Sequence, residues 1–216
     1  MAGDRYTLLV LDGELPPLGM ILEMAKNAER TICTDGVARH LEFLEPPVSA
    51  IIGDLDSLDD VAHFAELGIE IVHDPDQYSN DFEKALHYLI DRRAEHVLIL
   101  GLSGKRIDHT LTNISVMKRF VKRFKSLVMI DQYGLSYFLF GPVKRHKIEA
   151  KENTLVSLTP IYEALGVVTE NLYYSINGTD MHFGEEEGMS NIVTSEEGAF
   201  ISMSGGALMV TIVTNP

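Results

Sequence analysis

The sequence predicts an α/β fold: a mainly parallel, layered N-terminal domain followed by an all-β sandwich. Three observations point there. Through the first 131 residues, short runs rich in Val, Ile and Leu alternate with stretches of helical periodicity, the pattern of parallel strands covered by helices. Beyond Asp131 helical spacing ceases, and strand-length runs are separated by Gly, Asn or Glu-Gly turns. Charge shifts close to the same point. The net charge is −14 over 216 residues, yet residues 1–104 hold 7 basic and 20 acidic residues and residues 105–151 hold 11 and 3, while residues 152–216 hold 9 acidic residues and no Lys or Arg. The break falls within 132–145, giving expected domains at 1–135 and 136–216.

In chain order, the expected strands of the first domain are Tyr6–Leu11, Thr31–Cys33, Ala50–Ile52, Ile69–Val72, His96–Leu100 and Leu127–Ile130. Their lack of alternation suits strands buried on both faces of a Rossmann-like three-layer arrangement. Helical stripes lie between them: Leu18, Ile21, Leu22 and Ala25; then Phe82, Ala85, Leu86 and Leu89; then Leu111, Ile114, Met117, Val121 and Phe124. A further helix is expected to start near Leu58. The second domain reads as seven short strands: Tyr137–Phe140, Leu155–Leu158, Gly166–Thr169, Leu172–Ile176, Asn191–Thr194, Ala199–Met203 and Leu208–Val213.

Composition excludes several classes. An acidic chain repels nucleic acid and anionic membrane, so neither is an expected partner. Cys33 is the one cysteine, which excludes an internal disulfide and a Cys-based zinc site. The apolar run Thr7–Leu11 is too short for a signal peptide, and no run approaches the ~18 apolar residues of a spanning helix. A cytoplasmic location is expected.

In open α/β sheets ligands bind beyond the C-terminal ends of strands, and polar clusters sit at those ends: Thr34-Asp35-Gly36, Gly53-Asp54-Leu55-Asp56-Ser57, Asp74-Pro75-Asp76-Gln77 with Ser79-Asn80-Asp81, and Gly101–His109. Asp54 and Asp56 alternate across one residue, which in an extended segment puts both carboxylates on one side. Hard oxygen ligands without His or Cys point to Mg²⁺. The competing reading is that Asp56 and Ser57 cap the next helix. Asp76 and Asp81 at the following strand end tip the balance toward a metal site. Ser79 or Asn80 makes a good helix cap, with Asp81 in the first turn. The Gly-containing loop Gly101–Asp108, carrying Ser103, Lys105 and Arg106 before a helix, suits a polyphosphate. The basic face Lys118, Arg119, Lys122, Arg123 and Lys125 reads as solvated.

Taken in order, these clusters resemble the thiamine pyrophosphokinase family. Thr34-Asp35-Gly36 is similar to its Asp-Gly-Gly element, and Ile52–Ser57 to its Gly-Asp-Phe-Asp-Ser. Asp76-Gln77 with Asp81–Leu86 resembles Asp-Gln-x-x-Thr-Asp-Phe-x-Lys, and Gly101–Asn113 resembles Gly-x-x-Gly-Gly-Arg-x-Asp-His-Thr-x-x-Asn. Ser157–Pro160, Leu172-x-Tyr174 and Ser190-Asn191 continue the match. Departures are Val37 and Lys105 in place of Gly, Tyr78 in place of a frequent Asp, Asn80 in place of Thr, and Asn171 in place of Gly. The resemblance implies transfer of pyrophosphate from ATP to the hydroxyl of thiamine, in a homodimer with active sites between protomers. It assigns Mg²⁺ to Asp54, Asp56 and Asp81, and ATP to Asp35, Gln77, Ser103, Lys105 and Arg106, with Asp108 orienting Arg106 or joining the metal site. Thiamine falls to Tyr174, Ser190 and Asn191. Two other readings stand beside it: a different Asp-x-Asp metal-dependent transferase using a nucleotide sugar, and a non-catalytic thiamine or nucleotide sensor.

Overall fold

A computed structural model describes residues 5–58 and 60–214. The chain divides between Gln132 and Tyr133 into two compact units. Among the described residues the first holds six strands: β1 (Thr7–Val10), β2 (Arg30–Thr34), β3 (Ala50–Gly53), β4 (Glu70–His73), β5 (His96–Leu100) and β6 (Ser126–Ile130). They lie in the order β4-β3-β2-β1-β5-β6, and each neighbouring pair is parallel. The chain winds outward from β1 to β4, then returns to start again at β5. The order therefore reverses between β1 and β5, the place where an open α/β sheet forms its ligand crevice. Leu8, Leu9, Val10, Ile32, Cys33, Ile51 and Ile99 are almost wholly buried, as parallel central strands require. The edge strand β4 differs, since Glu70 and His73 are exposed.

The helices are α1 (Leu18–Asn27), α2 (Val61–Glu66), α3 (Asp81–Asp91) and α4 (Ile107–Phe120), with short 3₁₀ turns at Asp35–Leu41 and Val121–Arg123. On α3 the expected stripe Phe82, Ala85, Leu86 and Leu89 is buried. On α1 only Ile21 and Ala25 of the expected four are buried, while Leu18 and Leu22 are exposed. α4 departs further. It ends at Phe120 and buries Val116, Met117 and Phe120, leaving Leu111 58% exposed. On its inward side Asn113 donates its amide to the carbonyl of Leu102 (3.0 Å), just past β5. α2 starts at Val61, with Asp60 accepting from the His63 N–H (3.0 Å). Asp56 and Ser57 therefore do not cap it. Among the described residues no helix is long and apolar enough to cross a membrane.

Among the described residues the second unit holds seven antiparallel strands: β7 (Gly134–Phe140), β8 (Val143–Ile148), β9 (Leu155–Glu170), β10 (Asn177–His182), β11 (Gly188–Ile192), β12 (Ala199–Met203) and β13 (Gly205–Val213). β9 pairs with β10, β11, β12 and β13; β7 joins through β13 and β8 through β12. Val156, Leu158, Val167, Val193, Ile201, Leu208 and Val210 form its core. The membership differs from expectation. The two runs Leu155–Leu158 and Gly166–Thr169 are one sixteen-residue strand, whose inward phase shifts by one residue at the left-handed Gly166 (φ 58°). Leu172–Ile176 is a loop whose β-bridge runs from Leu172 to Val193, and β8 and β10 are strands the apolar pattern does not mark.

Candidate active site

The C-terminal ends of β1, β2 and β5 and the start of α3 border a cavity of about 370 Å³, lined by Asp12, Asp35, Gly36, Asn80, Asp81, Lys105, Arg106, His109 and Asn113 among others. Asp35, directly after β2, is 3% exposed. Its two oxygens accept from the N–H groups of Gly36 and Leu55 (2.8 Å each). Gly53 makes that burial possible, because a Cβ there would come within 2.5 Å of the Asp35 carboxyl carbon. Burial, reinforced by the Asp81 carboxylate, pushes Asp35 up to about 6 despite those two hydrogen bonds.

Asp54-Leu55-Asp56 is not extended, contrary to the strand geometry expected. Leu55 is left-handed (φ 67°), and the Asp56 N–H turns back to Asp54 Oδ1 (3.3 Å). This turn still brings the carboxylates together: one oxygen each from Asp35, Asp54 and Asp56 lie within 4.8 Å of one another. Three carboxylates at that spacing repel unless a cation sits among them, and an all-oxygen set suits a hard divalent ion such as Mg²⁺. Gln77 donates to Asp54 Oδ2 (3.1 Å). That bond, more than any other influence, holds Asp54 below the usual carboxylate range.

Asp81, the third ligand expected from the sequence, lies outside the converging trio. It accepts from the Lys84 ammonium (3.1 Å), and burial raises its carboxyl. Lys84 has a side chain only 3% exposed. Its position one helical turn after Asp81 was the available signal for a buried cation beneath the acids. Asn80 caps α3 by accepting from the Glu83 N–H (2.9 Å) and donates to Asn113 Oδ1 (3.0 Å). Asp76 is occupied by its own loop, accepting from the Ser79 hydroxyl (2.6 Å) and the N–H groups of Tyr78 and Ser79.

After β5, Arg106 donates through Nε (3.0 Å) and Nη2 to the two oxygens of Asp108, which lowers the Asp108 carboxyl. Lys105 donates to Asp12 Oδ1 (2.7 Å). Asp12 follows β1, a strand end that sequence reasoning passed over although Asp-Gly stands there. Ser103 lends its carbonyl to the Glu14 N–H (2.8 Å) and is not among the residues lining the cavity.

In the second unit Tyr174 is 65% exposed and meets Tyr173 edge-on at 4.9 Å. Ser190 is exposed and left-handed (φ 52°), with its N–H on Ser157 Oγ (2.9 Å). Asn191, expected to bond a ligand directly, is 2% exposed and folded inward. Its Oδ1 accepts from the N–H groups of Tyr174 and Ile192 (2.9 Å each), and its Nδ2 donates to the Tyr174 carbonyl (2.7 Å). It shapes the loop that presents Tyr174. Asn171 takes a left-handed conformation (φ 60°), which Asn tolerates better than most residues.

Carboxylates converging at strand ends beside Lys and Arg in an α/β unit are chemically suited to a metal ion and phosphates. Residues 21–129 match the family described as thiamin pyrophosphokinase, catalytic domain, and residues 145–208 that described as thiamin pyrophosphokinase, vitamin B1 binding domain. The chain belongs to the thiamin pyrophosphokinase family. Thiamine pyrophosphokinase 1 of Oryza sativa subsp. japonica is 27% identical over 223 residues, spanning 90% of this chain and 83% of that protein. Thiamine pyrophosphokinase of Bacillus subtilis (strain 168) is 25% identical over 141 residues, spanning 64% and 65%. Among solved structures, thiamin pyrophosphokinase from Candida albicans superposes with a TM-score of 0.83 at 17% identity, covering 97% of this chain and 89% of that one. The yeast enzyme gives 0.81 at 18% identity, covering 99% and 87%. The mixed α/β fold is shared with these structures.

Proposed function

We propose that the first unit, read as Rossmann-like, binds ATP and Mg²⁺ while the second, read as a β-sandwich, holds thiamine, in the reaction that family membership assigns to the chain: diphosphate transfer from ATP to the thiamine hydroxyl. The observation that carries this division is the convergence of Asp35, Asp54 and Asp56 beside a cavity whose wall bears Lys105 and Arg106.

The hydroxyl oxygen attacks the β-phosphorus of ATP. The bond from that phosphorus to the bridging α-phosphate oxygen breaks, and AMP leaves. The hydroxyl proton passes to a carboxylate, Asp54 or Asp81. Such transfer depends on alignment and charge neutralisation rather than covalent help. Asp35, Asp54 and Asp56, with Asp81 directly or through water, would hold Mg²⁺, which when bound offsets the charge on the phosphates. Lys105 and Arg106 face the phosphates, and Asp108 orients Arg106 through its two-point contact. Gln77 acts through Asp54, holding it ionised. Tyr174 offers a flat face to a cationic thiazolium, Ser190 a hydroxyl to its polar edge, and Asn191 the loop geometry. A cytoplasmic homodimer, with active sites between protomers, completes the reading.

The test is purified protein with ATP, Mg²⁺ and thiamine, scored for AMP and thiamine diphosphate in equal amounts. Binding of both substrates without AMP formation would make the chain a sensor. Turnover of a nucleotide sugar in place of ATP would make it a different transferase.

A further inference from the structure

Asp12 plays no part in the reading above, yet it stands at the reversal point of the sheet. The loops that follow β1 and β5 are locked together there. The Leu11 N–H donates to the Leu100 carbonyl (2.9 Å) and the Glu14 N–H to the Ser103 carbonyl (2.8 Å). At Gly13 a Cβ would fall 2.1 Å from the Gly101 carbonyl oxygen, so only glycine allows this approach. Asp12 is therefore carried on a fixed backbone. Its carboxylate reaches across the reversal point to the Lys105 ammonium at 2.7 Å, and both residues line the cavity.

Stability does not account for this pair. Both side chains are about half exposed, 55% for Lys105 and 48% for Asp12. An ion pair so exposed gains little over the cost of freezing two flexible side chains. Lys105 also occupies a left-handed conformation (φ 52°), uncommon for a residue with a long side chain, at a position where the family resemblance has Gly. A free lysine in this cavity would be drawn to the carboxylates of Asp35 and Asp81, which line it too.

We propose that Asp12 is a positioning residue: it holds the Lys105 ammonium on the cation side of the cavity, where it binds the phosphates of the nucleotide. Lys105 touches substrate and Asp12 acts through Lys105. The inference rests on the proposed phosphate role of Lys105.

Michaelis constants for ATP and for thiamine, with kcat, are measured for Asp12→Ala, Asp12→Glu, Lys105→Ala and the Asp12→Ala/Lys105→Ala double variant. Thermal melts confirm that each is folded; if Asp12→Ala is not, Asp12→Asn replaces it. Loss of a charge-assisted contact to phosphate predicts about a tenfold rise in the ATP constant for Lys105→Ala, with the thiamine constant unmoved. Asp12→Ala raises the ATP constant by a smaller factor, about three- to fivefold, on the same energetic scale. Asp12→Glu recovers most of it. In the double variant the loss equals that of Lys105→Ala alone, because a residue acting through Lys105 has nothing left to position.

An Asp12→Ala loss that persists undiminished without Lys105 overturns the proposal, and so does an ATP constant that falls on removing Asp12. An effect of Lys105→Ala with none of Asp12→Ala defeats the positioning step alone. No effect of Lys105→Ala on the ATP constant removes the phosphate reading and this inference with it.

Discussion

The two units handle polar residues in opposite ways. In the α/β unit, charged groups are drawn from distant strand ends into one region and constrain each other. Asp35 is fixed by two backbone N–H groups, Asp54 by Gln77, Asp81 by Lys84, Lys105 by Asp12 and Arg106 by Asp108. In the β unit the buried amide of Asn191 is bonded to backbone, and the loop it supports exposes the rings of Tyr173 and Tyr174. The first arrangement suits a polyanion and a metal, whose binding requires fixed charges of both signs. The second suits a flat organic cation, which needs area and few charges. In a chain of net charge −14, Lys105 and Arg106 line the cavity of the α/β unit, and no Lys or Arg occurs from residue 152 onward.

Substitutions separate the two strategies. The largest expected effect is Asp56→Asn, which removes one of the three converging carboxylates. Turnover falls by about 10²–10³-fold, the scale of losing one preorganised electrostatic group, while the melting temperature holds or rises as repulsion is relieved. Near-normal turnover would move the metal away from Asp56. Next comes Asn191→Ala. It strips partners from buried backbone groups and costs about 3 kcal/mol, read by denaturant unfolding. The thiamine Michaelis constant should rise as the Tyr174 loop loosens, with the ATP constant unchanged. Equal rises in both would merge what the comparison separates.

The third effect depends on pH. The folded-state value of Asp35 is raised to about 6, so the folded protein holds this proton where the unfolded chain has released it. The contribution is full at low pH and disappears as pH climbs from the ordinary aspartate range through about 6. In metal-free buffer the stability of wild type relative to Asp35→Asn should therefore fall by about 1–2 kcal/mol between pH 5 and pH 7.5. A gap that stays constant or widens would show that Asp35 is not protonated in this range. The smallest effect is Tyr174→Ala, which leaves stability nearly intact, since the ring is mostly exposed. It raises the thiamine constant by a few-fold, the size of one cation–π contact of about 1 kcal/mol.

The legibility of the sequence follows the same division. Parallel strands of the α/β unit lie between covered faces, so Leu8–Val10 and Val97–Leu100 are continuous apolar runs and stand out. The acids at strand ends stand out because nothing in a loop otherwise asks for four such clusters. Where a face is only partly covered the pattern misleads. Leu18, Leu22 and Leu111 keep helical spacing but remain exposed, and the inward side of α4 carries a polar residue, Asn113, bonded to the Leu102 carbonyl, which apolar periodicity does not register. In the β unit, β8 (Val143–Ile148) pairs, among the described residues, with β12 alone and is mostly Lys, Arg and His, as edge strands often are. β9 hides its unity behind Pro160 and Gly166, residues that ordinarily end strands. The inward role of Asn191 is invisible in sequence, because an amide folded onto backbone and one offered to a ligand read alike.

The length of β9 sets an order of events during synthesis. Its four partners, β10 to β13, all follow it in the chain, and β13 begins thirty-five residues after β9 ends, at Gly205. The α/β sheet has all its strands once Ile130 has emerged, whereas β9 leaves the ribosome with no neighbour to pair. Most of its backbone groups wait for distant segments, which makes closure of the ladder slow. Until β13 arrives, the edge of β9 that it covers stays open along Leu155–Leu165, the state in which a strand is most prone to pair with another chain. Truncation at residue 204 would make that exposure permanent.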